Sequence, residues 1–200
     1  MYFNDVHILT YVLLGIIGIF VGTIVNTIND RLQEEKKILC KETFKEYKIK
    51  ARKNKWILIL IPISYIVLLY RLGIGNEIAN QLNLLKYLIL IPMLINVFVI
   101  DCKKQIIPNR LTLTIFEIGL IFISMQVIIN TNTGINTFLN SLLGMLIGGG
   151  IFLIINLVGK LFSQKEAMGF GDAKLMAVLG LFFGKNNIII IFVIAFIIAA

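Results

Sequence analysis

The feature that most limits what this chain can fold into is the segregation of its charges between long apolar runs. Seven such runs follow one another: Ile8–Ile28, Trp56–Tyr70, Leu84–Ile100, Leu111–Ile129, Phe138–Gly159, Ala173–Phe183 and Ile188–Ala200. A helix crosses the hydrocarbon core of a bilayer with about 20 apolar residues. The shorter run Trp56–Tyr70 is flanked by Lys55 and Arg71, which can snorkel, and ends on aromatic residues suited to the interfaces. Composition rules out the soluble alternative. The chain is 58% hydrophobic and 15% charged, whereas soluble domains are about 45–50% apolar and about 25% charged. Two hundred residues cannot bury that many apolar helices in water. The expected fold is an all-α, polytopic membrane helix bundle of about six to seven transmembrane helices.

Before the first run, Met1–His7 holds Asp5 and no Lys or Arg, so it lacks the basic start of a cleaved signal peptide, and the first helix is expected to be retained. By organisation, residues 1–55 read as one transmembrane helix plus a short basic loop, and residues 56–200 as a membrane domain. The last run is shorter than a full span and stops in mid-pattern, which leads us to expect the natural protein to continue past Ala200.

Basic residues sort by loop. Residues 29–55 carry Arg31, Lys36, Lys37, Lys41, Lys45, Lys48, Lys50, Arg52, Lys53 and Lys55. Residues 101–110 carry Lys103, Lys104 and Arg110, and residues 160–172 carry Lys160 and Lys165, with Lys174 just beyond. The alternate connections hold only Arg71 and Lys185, apart from Lys86 near the start of the third run. The positive-inside rule then places the N-terminus outside and these three loops in the cytoplasm. The net charge of +8 lies among Ile, Leu and Phe, which points to anionic lipid at a cell membrane and away from nucleic acid.

Chemistry is narrowed by what the sequence lacks. His7 is the only histidine, so a serine triad or a histidine-bound zinc is not expected. Cys40 and Cys102 have no Cys-x-x-Cys partner, and no metal site is expected. Two aspartates stand out. Asp101 closes the third run, and Asp172 opens the sixth behind Gly169-Phe170-Gly171. The topology puts both at one depth, at the cytoplasmic boundary. Paired carboxylates can hydrolyse a peptide without metal: one removes a proton from water, and the other, protonated, donates toward the scissile carbonyl. Two such acids share a proton when close. Gly169 and Gly171 would let an extended substrate backbone approach, and Pro108 ends the helical option in the loop after Asp101. The plainer reading makes Asp172 a helix cap and Asp101 an interfacial ion-pair partner.

At these residues the sequence resembles a family. Asp101, Lys104 and Ile107-Pro108-Asn109, followed by Met168-Gly169-Phe170-Gly171-Asp172 and Lys174-Leu175, are similar to the motifs of the type IV prepilin peptidases, which are GxGD-type membrane aspartyl proteases. The segment Gly22 to Asn26 to Arg31-Leu32 is similar to their opening helix. The resemblance implies a leader peptidase that cuts short basic leaders from prepilins or pilin-like proteins, after a glycine, on the cytoplasmic face. It implies Asp101 and Asp172 as catalytic, supported by Gly169, Gly171, Lys104, Pro108, Asn109 and Lys174. Many members also carry paired Cys-x-x-Cys motifs and methylate the product with S-adenosylmethionine. Loop 29–55 holds only Cys40, so no cofactor is expected here, S-adenosylmethionine entering only if methylation were retained.

Two other readings bear on the same residues. Presenilin and signal peptide peptidase also use Gly-x-Gly-Asp, but would bring a Tyr-Asp and a later Pro-Ala-Leu, and neither occurs. A small transporter or scaffold would show an internal repeat, and none is visible. Glu117 lies within the fourth run, with either a cavity-lining or a bundle hydrogen-bonding role. The pairs Gly18/Gly22, Gly144/Gly148 and Gly180/Gly184 have the spacing of close helix crossings, and Gly148-Gly149-Gly150 adds a tight contact or bend.

Overall fold

The computed structural model describes residues 2–3, 6–33, 55–75, 77–129, 133–163 and 169–199. Cys40, most of loop 29–55, Lys165 and Met168 lie outside the described residues. Among the described residues, six helices follow a two-stranded ribbon in which β1 (Tyr2–Phe3) pairs antiparallel with β2 (Val6–His7). They are α1 (Ile8–Gln33), α2 (Lys55–Leu72), α3 (Ile78–Lys104), α4 (Asn109–Ile129), α5 (Gly134–Ser163) and α6 (Phe170–Ala199). All but α2 are long and apolar enough to cross a membrane. The chain is a multi-pass, all-α membrane protein. It divides into two compact units, Met1–Ile106 and Ile107–Ala200.

In the first unit α1 packs on α2 and α3, and α2 packs on α3. His7 starts α1, its Nδ1 accepting from the Leu9 amide at 3.2 Å. This settles the lone histidine in a capping role. Gly18 and Gly22 form the crossing that their spacing implied. A Cβ on Gly18 would come within 2.6 Å of the Pro62 Cα, and one on Gly22 within 3.4 Å of the Leu58 Cα. The core here joins Val25, Ile57, Ile61 and Tyr65. Pro92 inside α3 has no N–H for the Leu88 carbonyl four residues before it. The Tyr65 hydroxyl donates to that carbonyl at 2.7 Å, tying α2 to α3 where lipid offers no other donor.

In the second unit α5 packs against the whole of α6. Gly184 interrupts α6 at φ 76°, ψ 176°, a region open essentially to glycine alone. The chain reverses there. Cβ atoms built on Gly148 would touch both the Met176 carbonyl and the Ile188 side chain. Along a straight helix those two residues would be about 18 Å apart, at 1.5 Å per residue. Phe152, Ala173, Met176 and Ile188 likewise share one cluster, and Phe152 meets Phe192 edge-to-face at 5.6 Å. Residues 170–183 and 185–199 are therefore two antiparallel legs, divided where the apolar pattern separates its sixth and seventh runs. Asn140 on α5 secures the turn, its Oδ1 accepting from the Lys185 amide at 3.2 Å.

Several helix boundaries differ from the sequence expectation, among them three at polar helix ends. Residues 78–83, read as part of a polar connection, are the first turns of α3. Residues 29–33, assigned to the basic loop, continue α1. Residues 160–163 continue α5, and α6 begins at Phe170. Residues 78–83 and Lys160 are exposed or half-buried, where water or headgroups can hold polar groups, whereas Asn29, Asp30 and Arg31 are buried within the first unit.

Replacing Gly184 by Ala forces a Cβ into a glycine-only conformation and against the Asn140 amide. Thermal unfolding in detergent should show a loss of about 3 kcal/mol. Gly150→Ala is the control, since nothing lies within 4 Å of its Cβ position. It should leave stability unchanged or raise it by up to about 1 kcal/mol.

Candidate active site

Asp101 belongs to the first unit. It sits in the last turn of α3 and not in the loop expected after the third run. The helix stops because Gln105 turns left-handed, at φ 52°, and its amide donates to the Asp101 carbonyl at 2.7 Å. A non-glycine residue in this conformation is uncommon and fixes the end of the helix abruptly. Asp101 is half-buried, while Cys102, Lys103 and Lys104 are exposed. Buried polar residues lie in the same unit, at the basic end of α1. Asn26, Thr27, Asn29, Asp30 and Arg31 are all buried, as is Asn96 on α3. Neither Asp30 Oδ2 nor Asn96 Oδ1 has a hydrogen-bond partner among the described residues. By polarity alone Asn29, Asp30 and Arg31 belong to the basic loop. Their burial was detectable as a continuation of the α1 stripe Gly18, Gly22, Val25 and Asn29, spaced by three and four residues.

Asp172 belongs to the second unit. It is the third residue of α6, so the cap position falls on Gly169, whose carbonyl accepts from the Asp172 amide at 3.1 Å. An acidic side chain in this turn is favoured by the helix dipole. Asp172 Oδ2 lies 3.5 Å from the position of a Cβ on Gly169. Neither Gly169 nor Gly171 has a left-handed backbone. Gly171 instead admits a neighbour: a Cβ there would lie 3.1 Å from the Ile107 Cβ.

Segment 107–109 is bound to the start of α6 a second time. Lys174 Nζ donates to Asn109 Oδ1 at 3.0 Å. Pro108 supplies the first carbonyl of α4, accepting from Leu111 and Thr112 at 3.0 and 3.3 Å. Of the residues singled out in the sequence, Pro108, Asn109, Gly169, Gly171, Asp172 and Lys174 thus lie together in one unit. Asp101 and Lys104 lie in the other. At 100° per residue around α6, Gly171 and Lys174 face the start of α4 while Ala173 and Ala177 face Gly149 of α5. Asp172 therefore projects from an arc that faces neither α4 nor α5. Glu117 is exposed on α4 and belongs to no cluster with these residues.

If Gly171 is retained for its contact with Ile107, Gly171→Ala should destabilise the protein by about 1 kcal/mol. Ile107→Ala in the same chain should relieve part of that cost. A double-mutant cycle read by thermal unfolding should give a coupling of about 0.5 kcal/mol or more.

Residues 88–200 match the type IV leader peptidase family. Among curated relatives, the prepilin leader peptidase/N-methyltransferase of Klebsiella pneumoniae is 33% identical over 110 residues, covering 55% of this chain and 45% of its own. The protein of the same name from Neisseria gonorrhoeae is 35% identical over 107 residues, covering 53% of this chain and 35% of its own. That of Escherichia coli (strain K12) is 31% identical over 97 residues, covering 48% and 40%. The chain thus spans less than half the length of these relatives. No solved structure matches it. The family match takes in more than half of the chain and both aspartate motifs, and the chain belongs to the type IV leader peptidase family.

Proposed function

We propose that the chain is an aspartic-type endopeptidase that removes the leader of prepilins or pilin-like proteins, with Asp101 and Asp172 as the catalytic pair. The observation that carries this reading is the placement of each aspartate at a helix end. Asp101 lies in the last turn of α3, followed in sequence by Lys103 and Lys104, and Asp172 lies in the first turn of α6, two positions before Lys174. Basic residues at both ends favour the cytoplasmic side for both acids. Family membership and the arc from which Asp172 projects support the same reading.

The chemistry follows from two carboxyls holding one proton between them. The ionised carboxylate takes a proton from water, and the oxygen of that water attacks the scissile carbonyl carbon. The protonated carboxyl donates to the carbonyl oxygen, so charge does not build up on it. Collapse of the tetrahedral species breaks the C–N bond, and the leaving nitrogen takes up a proton. The two acids exchange roles in the course of the reaction. In this account the left-handed Gln105 and the contacts of Gly171 and Lys174 are positioning features, holding the two helix ends that carry the acids. Methyl transfer is not part of the proposal, because loop 29–55 carries only Cys40 where many relatives carry Cys-x-x-Cys pairs.

The test is cleavage of a prepilin-like substrate by the full chain in membranes. Asp101→Asn and Asp172→Asn should each lower the rate by about 10³-fold or more, with expression and thermal unfolding unchanged. Cleavage at a near-native rate by either folded variant would defeat the assignment.

A further inference from the structure

The second unit contains a groove of about 480 Å³ between α4, α5 and α6. Its lining is graded. At one end stand Asn109 and Lys174, and beyond them Leu113, Phe116, Met145 and Val178. The lining has no acidic residue. Lys174 gives one hydrogen bond to Asn109, and an ammonium group has three donors. Lys174 is exposed. The polar end coincides with the start of both α4 and α6, and the apolar part runs along spans of a membrane protein.

We propose that this groove binds an anionic phospholipid, with the phosphate at Lys174 and an acyl chain against Leu113, Phe116, Met145 and Val178. The charge at the mouth calls for an anion. Position selects against the scissile peptide. Lys174, Ala177 and Val178 lie on α6 about 140–240° from Asp172, on the opposite side of the helix. A flexible acyl chain fits an apolar groove with Leu113 exposed at its rim, and a phosphate fits the end at Lys174. This site stands apart from the aspartates, and the proposal does not require the peptidase reading.

The full chain, purified in mild detergent, can be tested by native mass spectrometry with phosphatidylglycerol or phosphatidylcholine of identical chains. Retention of phosphatidylglycerol should exceed that of phosphatidylcholine by about five-fold, the ratio expected of one basic residue at a membrane surface. Lys174→Gln should abolish the preference. Because that variant also loses the bond to Asn109, Leu113→Trp is the second probe. Leu113 is 59% exposed at the rim, so added bulk should fill the groove and lower retention of both lipids while thermal unfolding holds. Equal retention of the two lipids by the native chain would overturn the proposal. So would retention unmoved by Leu113→Trp, or a peptide found bound in place of lipid. Asp172→Asn should keep the lipid preference, so loss of cleavage and loss of lipid binding fail separately.

Discussion

The fold of the second unit depends on the close approach of α5 to both legs of α6. Cβ atoms on Gly144 and Gly180 would each overlap the other's backbone, and one on Gly148 would overlap the Met176 carbonyl. Lipid supplies no hydrophobic force to press one apolar helix on another, so contact area and dispersion must hold the helices together. Side chains longer than hydrogen at these positions would hold them apart. The glycines are therefore the reason that a hairpin with legs of about 21 Å can pack at all.

That contact determines where Asp172 can stand. Once α5 occupies the side of Ala173 and Ala177, and the start of α4 meets Gly171 and Lys174, one arc of α6 is left for the carboxylate. The hairpin turn at Gly184 is far from the acid in sequence, yet it fixes the leg that carries it. On the other unit the corresponding constraint is backbone termination. Gln105 closes α3 within one turn of Asp101 and so limits how far that carboxylate can move along the chain. Each acid is held by ordinary helix-end physics, with no special fold around it.

Much of this could be read from the sequence, for reasons that differ by element. The spans could be read because lipid requires long apolar runs, and the break at Gly184 because a glycine followed by Lys185-Asn186-Asn187 interrupts one. The glycine pairs carried the helix crossings in their spacing. Helix ends could not be read from hydropathy. Asn29, Asp30 and Arg31 look like loop by polarity, yet they are buried in α1. The contact of Gly171 with Ile107 was not legible either, because it joins two segments far apart in the chain. The groove beside Lys174 could not be foreseen, because it is assembled from three helices and no single stretch encodes it. The tie from Tyr65 to the carbonyl freed by Pro92 joins two helices and was likewise beyond any one-dimensional pattern.

The claim on which the account turns is that Asp101 and Asp172 act on one water molecule. The most direct measurement is thiol cross-linking in native membranes of a chain carrying Asp101→Cys and Asp172→Cys, with Cys40 and Cys102 replaced by serine. Side chains that share a proton lie close to the span of a disulfide, whose Cα atoms are about 4.4–6.8 Å apart. The account predicts rapid cross-linking by a short bifunctional thiol reagent, far above that of a control pair joining position 101 to Thr137 at the start of α5. Cross-linking no faster than the control, in a chain that is inserted and folded, would contradict it.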